Sequence, residues 1–361
     1  MLTGNKGEWS EIYVFLKLLA DGKLNAADAN LNTLSNVYYP IIKILRLEGG
    51  VRREYHINGN IRVFDGNTGM EILSLPILDF INFSKNLFQK LKKETGRSFA
   101  FKDIEEFLHR IDINSLTAQK TDKADIKVVV HDLNTGLKPE LGFSIKSLVG
   151  SNSTLFNPGN TTNFIFEITG ENIVSLDINR INQIYTKPKI ANRIDKIKNS
   201  GFVLKFVGIE SKMLKLNLQL IDSDLPEILA ELLLLKYSLK GISLLSNLSV
   251  QLAESNPLNF DLTLKHPFYE YKIKNFLTDC ALGMTPATKW TGKYNATGGI
   301  IIVKENGDLI CYHIYNRNEF QNYLFNNTRL EQASTSRYSF GDLYIEKGRI
   351  YLKLNLQIRF N

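Results

Sequence analysis

Asp125, Ser144 and Lys146 have the types and the spacing to do chemistry together. Residues 125–131 (DIKVVVH) are β-rich, Asn134-Thr135-Gly136 signals a turn, and residues 141–148 form a second apolar run. Side chains alternate between faces along a strand, so Ser144 and Lys146 share one. Two adjacent strands then bring a carboxylate and an ammonium to one spot. That pairing suits metal-dependent hydrolysis of a phosphodiester. Asp125 would hold Mg²⁺, the metal would polarise the phosphate and activate water, and Lys146 would position the nucleophile or help to deprotonate it. The spacing alone is more simply explained by a strand-edge aspartate in a turn and a lysine reaching solvent. The setting of Lys146 argues for chemistry: Leu141, Phe143, Ile145 and Leu148 place its strand inside a sheet, where an ammonium without a partner is costly.

Helices must position the remaining groups. Residues 7–20 set Trp9, Ile12, Phe15, Leu16 and Leu19 at helical spacing, with Gly22 as a stop, and this helix carries Glu8 and Glu11. A second helix is expected over residues 76–93, with Pro76 in its first turn, a stripe of Phe80, Phe83, Leu87 and Leu91, and Gly96 beyond its end. A short helix follows over 102–110. Residues 163–168 (NFIFEI) read as a third strand, so a helix leads into an antiparallel meander, an α/β or α+β opening. Residues 225–235 look helical, with Asp224 available as a cap. The chain ends in a half-buried strand over 350–360 (IYLKLNLQIRF).

Composition narrows the classes. With 43% hydrophobic and 22% charged residues, the 361-residue chain can bury a sizeable core, as one large domain or two joined ones. Cys280 and Cys311 are the two cysteines, with no CxxC and no paired histidine spacing, which argues against a disulfide scaffold or structural zinc. His56, His109, His131, His266 and His313 are scattered, which argues against a histidine-based centre. Residues 228–235 contain Glu231 and are too short to span a bilayer, and residues 12–20 lack a signal peptide's form. The expectation is a soluble, cytoplasmic protein. A net charge of +7 favours polyanionic partners, although many weakly basic proteins never meet one.

Four blocks, GNKGEWSEIY (residues 4–13), GFSIKSLVGSNSTLFNPGNTTNF (142–164), STSRYSFG (334–341) and KLNLQIRF (353–360), resemble the HpaII-type family of restriction endonucleases. The likeness runs from one end of the chain to the other. A glutamate on a leading helix, then a strand Asp and a strand Lys, is also the order of parts in the PD-(D/E)xK nuclease superfamily. The resemblance implies a bacterial enzyme that cuts double-stranded DNA at a short palindrome, CCGG for the namesake, with Mg²⁺. It further implies a homodimer and a partner DNA methyltransferase that protects the host. The implied fold is a PD-(D/E)xK core with a central mixed sheet flanked by helices. The expected division is a nuclease core with a helical insertion over 1–215 and a DNA-recognition part over 216–361 packed on it.

One departure bears on the metal. The superfamily has Glu or Asp two residues before the lysine, and Ser144 stands there. No acid lies between Lys146 and Asn163, and Glu140 lies about 20 Å from Lys146 at ~3.3 Å per residue. Glu167 on the third strand is one source of the missing acid. Glu11 is preferred, because Lys6-Gly7-x-x-x-Glu11 is similar to the glutamate-bearing helix of related resolvases; Glu8 serves equally as a first-turn acid favoured by the helix dipole. Ser144 also keeps two other readings open: a DNA-binding protein on a decayed nuclease fold, or a structure-specific repair nuclease.

Candidate DNA contacts complete the reading. Ser147, Ser151, Ser153, Thr154, Asn157, Asn160, Thr161, Thr162 and Asn163 make a polar loop suited to phosphates and groove edges, or simply to solvent, with Ser147 and Asn163 singled out. Residues 284–299 (MTPATKWTGKYNATGG) are flexible, basic and aromatic, a candidate clamp carrying Lys289. Arg337, in STSR, suits bidentate pairing with guanine or phosphate. Lys187, Lys189, Arg193, Lys196 and Lys198 form a basic run that could track a backbone or face solvent.

Overall fold

A computed structural model describes residues 1–118, 124–133, 135–150 and 152–361. Asn134 of the expected turn and Ser151 of the polar loop lie outside the described residues. The first elements are α1 (Lys6–Asp21), β1 (Lys23–Ala27), β2 (Thr33–Glu48), β3 (Val51–Asn58), β4 (Asn60–Asp65), β5 (Glu71–Pro76), α2 (Ile77–Lys93) and α3 (Lys102–Arg110). Next come β6 (Ile126–Val130), β7 (Glu140–Ser147), β8 (Thr154–Phe156), β9 (Asn163–Thr169), α4 (Ile178–Asn182), α5 (Lys189–Asn199), β10 (Val203–Ile209) and α6 (Lys212–Ile221). Then follow α7 (Leu225–Ser238), α8 (Leu245–Ser255), α9 (Phe268–Leu282), β11 (Gly299–Val303), β12 (Leu309–His313) and α10 (Arg317–Asn326). The chain closes with β13 (Thr328–Leu330), α11 (Thr335–Tyr338), β14 (Leu343–Glu346), β15 (Arg349–Asn355) and β16 (Ile358–Phe360). The class is mixed α/β.

Two compact units divide the chain. The first comprises Met1–Ser153, Ala281–Gly283 and Tyr294–Tyr323; the second comprises Thr154–Cys280, Met284–Lys293 and Leu324–Asn361. The boundary expected at 215/216 falls inside α6, within the second unit. A single cut along the sequence cannot separate the units, because β11 and β12 return to the sheet of the first.

The first unit grows from α1. Asn5 caps it by accepting hydrogen bonds from the Gly7 and Glu8 amides (2.8 and 3.1 Å), and Glu8 reaches back to accept from the Asn5 amide at 2.7 Å. At the other end Gly22, at φ +64°, donates its N–H to the Leu18 carbonyl. That left-handed conformation is one glycine adopts without Cβ strain. Trp9, Ile12, Phe15, Leu16 and Leu19 are buried, as their spacing predicts. Removing a side chain of the size of Trp9 or Phe15 costs about 3–5 kcal/mol.

α1 packs against α2, β2 and β7, and the sheet beneath runs β1-β12-β11-β7-β6-β2-β3-β4-β5. The β6–β7 hairpin forms as predicted. The expected third strand does not join it: β9 belongs to a separate sheet of the second unit, ordered β10-β9-β15-β14. The other neighbour of β7 is β11, which lies parallel and pairs Ile300 with Ser144 and Ile302 with Lys146. β7 is therefore an interior strand of a mixed sheet. The long meander from β1 to β5 was not anticipated. Its strands carry cross-strand ion pairs, Lys43 with Glu54 at 2.6 Å and Arg53 with Asp65 at 2.8 Å, so charged residues interrupt the apolar alternation that marks a strand.

In the second unit β8 pairs with β16, and β16 with β13, in a three-stranded sheet. The expected terminal strand is thus two strands in two sheets, β15 and β16, although Leu352, Leu354, Leu356, Ile358 and Phe360 are all buried as the alternation predicts. α7 begins after Asp224, whose side chain makes no cap hydrogen bond; it pairs with Lys272 at 3.1 Å instead. Among the described residues no helix is long and apolar enough to cross a membrane.

Candidate active site

The hairpin delivers Asp125 to β7. Gly142 makes the approach possible: a Cβ there would lie 2.8 Å from the Ala124 Cβ. The Asp125 amide donates to the Phe143 carbonyl at 2.9 Å, and continuing the β6–β7 register sets Asp125 beside Ser144. Its carboxylate Oδ2 accepts two hydrogen bonds, from the Ile145 amide at 2.8 Å and the Ser144 hydroxyl at 3.1 Å. Asp125 is thus held in one orientation by β7, two residues from Lys146. Asp125 and Lys146 are half-buried and Ser144 is buried. Phe143 and Ile145 point into the core with α1, and Ser144 and Lys146 have the opposite parity.

The two helix acids have different surroundings. The Glu8 carboxylate is the reciprocal half of the capping box, turned back onto Asn5. Glu11 is half-buried one turn further along α1, the helix that packs on β7. Glu167, on β9 in the second unit, pairs with Arg349 at 3.4 Å, so it is not on the sheet that holds Asp125. Glu140 pairs with Arg52 at 3.3 Å. Among the described residues no three His, Cys, Asp or Glu side chains gather as a ready metal cage. The Asp125 carboxylate and the carboxylates of α1 are hard oxygen groups. They fit a cation that completes its shell with water and substrate phosphate rather than with a full protein cage.

The sequence model of the HpaII restriction endonuclease family matches residues 5–360. The chain belongs to that family. A curated relative, the type II restriction enzyme HpaII of Haemophilus parainfluenzae, is 43% identical over 359 residues, covering 99% of this chain and 98% of the relative. No solved structure matches the chain significantly. Membership makes this chain a site-specific deoxyribonuclease, with DNA as substrate.

The contacts expected for a restriction endonuclease on DNA divide sharply by exposure. Ser147 is buried; its hydroxyl accepts from the Val149 amide at 3.2 Å, and its own amide and carbonyl both bond the Ser153 hydroxyl. Asn163 is fully buried. Its amide donates to Glu210 at 2.8 Å and to the Tyr338 carbonyl at 2.9 Å, and its Oδ1 accepts from Asn355 at 2.7 Å. Both therefore brace backbone where groove contacts were expected, because their polar atoms are consumed inside the fold. Thr162, also fully buried, is bonded to Gly159, which leaves Asn157 and Asn160 as exposed amides of that loop.

Arg337 and Lys289 are exposed. Arg337 lies in the short α11, capped by Ser334, with its guanidinium over the Tyr338 ring at 5.4 Å and Phe340 buried behind. Arg193, expected in a basic run, is 1% exposed and binds Asp342 and the Gly341 and Asn182 carbonyls. It secures the segment that follows α11 and is not part of a solvated face. Sequence reasoning missed Asn217, Asn355 and the structural role of Arg193. Their only local signal is a polar residue within an apolar pattern, as in LKLNLQL around Asn217.

Proposed function

We propose that this restriction endonuclease cuts both strands of a short palindromic DNA site, CCGG by family resemblance, on a PD-(D/E)xK core in the first unit. Asp125 and Glu11 would hold Mg²⁺, and Lys146 is the catalytic cation. The observation that carries the reading is the seating of Asp125, by the Ser144 hydroxyl and the Ile145 amide, on the strand that carries Lys146. Mg²⁺, when bound, supplies Lewis-acid polarisation of the phosphoryl group and acidifies water.

The chain's own residues do the rest. Lys146 presents a fixed ammonium to the phosphoryl oxygens on which charge develops and orients the attacking water. Ser144 keeps the Asp125 carboxylate aimed but brings no negative charge, so the second charge comes from Glu11. Glu8 remains a helix-capping acid. In the second unit, Arg337 reads a base edge and Lys289 meets phosphate, while Asn163 positions the Arg337 segment through the Tyr338 carbonyl. A palindrome calls for two copies of one cutting centre, which supports a homodimer. The activity in turn requires a methyltransferase that protects the host genome in the bacterial cytoplasm.

Plasmid digestion by purified protein with Mg²⁺, followed by sequencing of the ends, tests this reading. Discrete fragments sharing one motif are expected. Specific binding without cutting at any Mg²⁺ concentration would instead favour a decayed nuclease that only binds, the reading Ser144 allows.

A further inference from the structure

Asn217 is 2% exposed on the inward face of α6, between Leu214 and Leu218. A buried amide must find partners, and all those of Asn217 lie in one segment of the second unit. Its Nδ2 donates to the Thr288 carbonyl at 2.8 Å and the Thr285 carbonyl at 3.2 Å, and its Oδ1 accepts from the Trp290 amide at 2.9 Å. The Thr285 and Thr288 hydroxyls bond each other at 2.6 Å, and Met284 and Trp290 are buried. A stretch rich in Thr, Pro and Gly, read from sequence as flexible, is thereby wound around one side chain. Lys289, between two residues fixed by Asn217, and Lys293, after Gly292, are exposed, and among the described residues neither has a carboxylate within ion-pair distance.

We propose that Met284–Lys293 is a preformed phosphate clamp for duplex DNA, and that Asn217 is the positioning residue that keeps it folded before DNA arrives. The proposal rests on the endonuclease reading above and extends it from Lys289 to a built element. Lysines act as compact charges that meet phosphate without reading bases. Ordering the loop in the free protein removes an entropic cost from association. One buried amide satisfies three backbone groups of the loop, so both lysines are held on a single backbone shape.

Binding of labelled duplexes, cognate and scrambled, is measured against salt in metal-free buffer. Lys289→Gln with Lys293→Gln should weaken both duplexes alike and lower the salt slope by about two, at ~0.9 per phosphate contact. Asn217→Ala keeps both charges. It should leave the slope near wild type, weaken both duplexes by roughly tenfold, and expose Trp290 to iodide quenching in the free protein, with DNA restoring protection. Asn217→Asp, which keeps the acceptor for the Trp290 amide but sets a buried carboxylate against two carbonyl oxygens, should weaken binding at least as much as Asn217→Ala. Unchanged affinity and slope in the double lysine variant would overturn the clamp, and this arm decides even if neither Asn217 variant folds. Wild-type affinity in Asn217→Ala with an exposed Trp290 would overturn the positioning role. Failure of the wild type to bind any duplex would instead remove the endonuclease reading itself.

Discussion

A single ammonium carries much of the proposed chemistry. Lys146→Ala should abolish cleavage yet leave specific binding within about tenfold, because its charge acts on the transition state more than on bound DNA. Gel-based cleavage and equilibrium binding on folded variant check this, and full activity would remove the centre. The helix acids separate by what each already does. Glu11→Gln should cut activity steeply with little effect on Tm, since the amide keeps shape and loses the charge needed at the metal. Glu8→Gln should retain most activity; Gln can still accept from the Asn5 amide, so the stability loss is expected below about 1 kcal/mol. Cleavage rates and melting curves for the two variants give the ranking, and the opposite order would move the metal role to Glu8.

Short elements in the second unit owe their shape to buried polar anchors. α11 has only four residues, too few to be stable alone. It is held by the Ser334 cap, by Asn163 on the Tyr338 carbonyl, and by Phe340 in the core. Arg337→Ala should weaken specific binding by about 1–3 kcal/mol and relax discrimination at one base pair. A phosphate contact would instead weaken cognate and random duplexes alike and lower the salt slope by about one. Titrations of both duplexes at several salt concentrations separate the two.

Across the whole molecule, stability should depend on pH through His313. It lies at the end of β12, 1% exposed, stacked on Tyr39 at 4.8 Å, with Nδ1 accepting from the Tyr315 amide. Burial lowers its pKa from 6.5 to about 4. Between those values the unfolded chain binds a proton that the folded chain refuses. Stability is therefore full above about pH 6.5, falls as pH drops toward 4, and levels off below. The loss attributable to this group is roughly 3 kcal/mol. Denaturant unfolding of wild type and His313→Phe at about pH 7 and pH 4 measures it, and an identical pH dependence in the variant would exclude His313 as the cause.

Much of the first unit's site was legible in sequence because its signals are local. The stripe of α1, its glycine stop and the β6–β7 hairpin follow from helical and strand periodicity within short windows, and so does the meeting of Asp125 with Ser144. Glu8 was distinguishable from Glu11 only once the capping box was seen, because both acids fit the first turns of a helix. Partners distant in sequence were not legible. β11 joins β7 from some 150 residues away, and β9 lies in another sheet although it follows the hairpin directly. Polar residues were the hardest to read. Ser147, Asn163 and Arg193 resemble surface DNA contacts by type, but the fold buries them, because backbone groups in irregular segments need side-chain partners. Residue type determined what chemistry the chain could do; which polar groups remain exposed to do it was decided by tertiary burial.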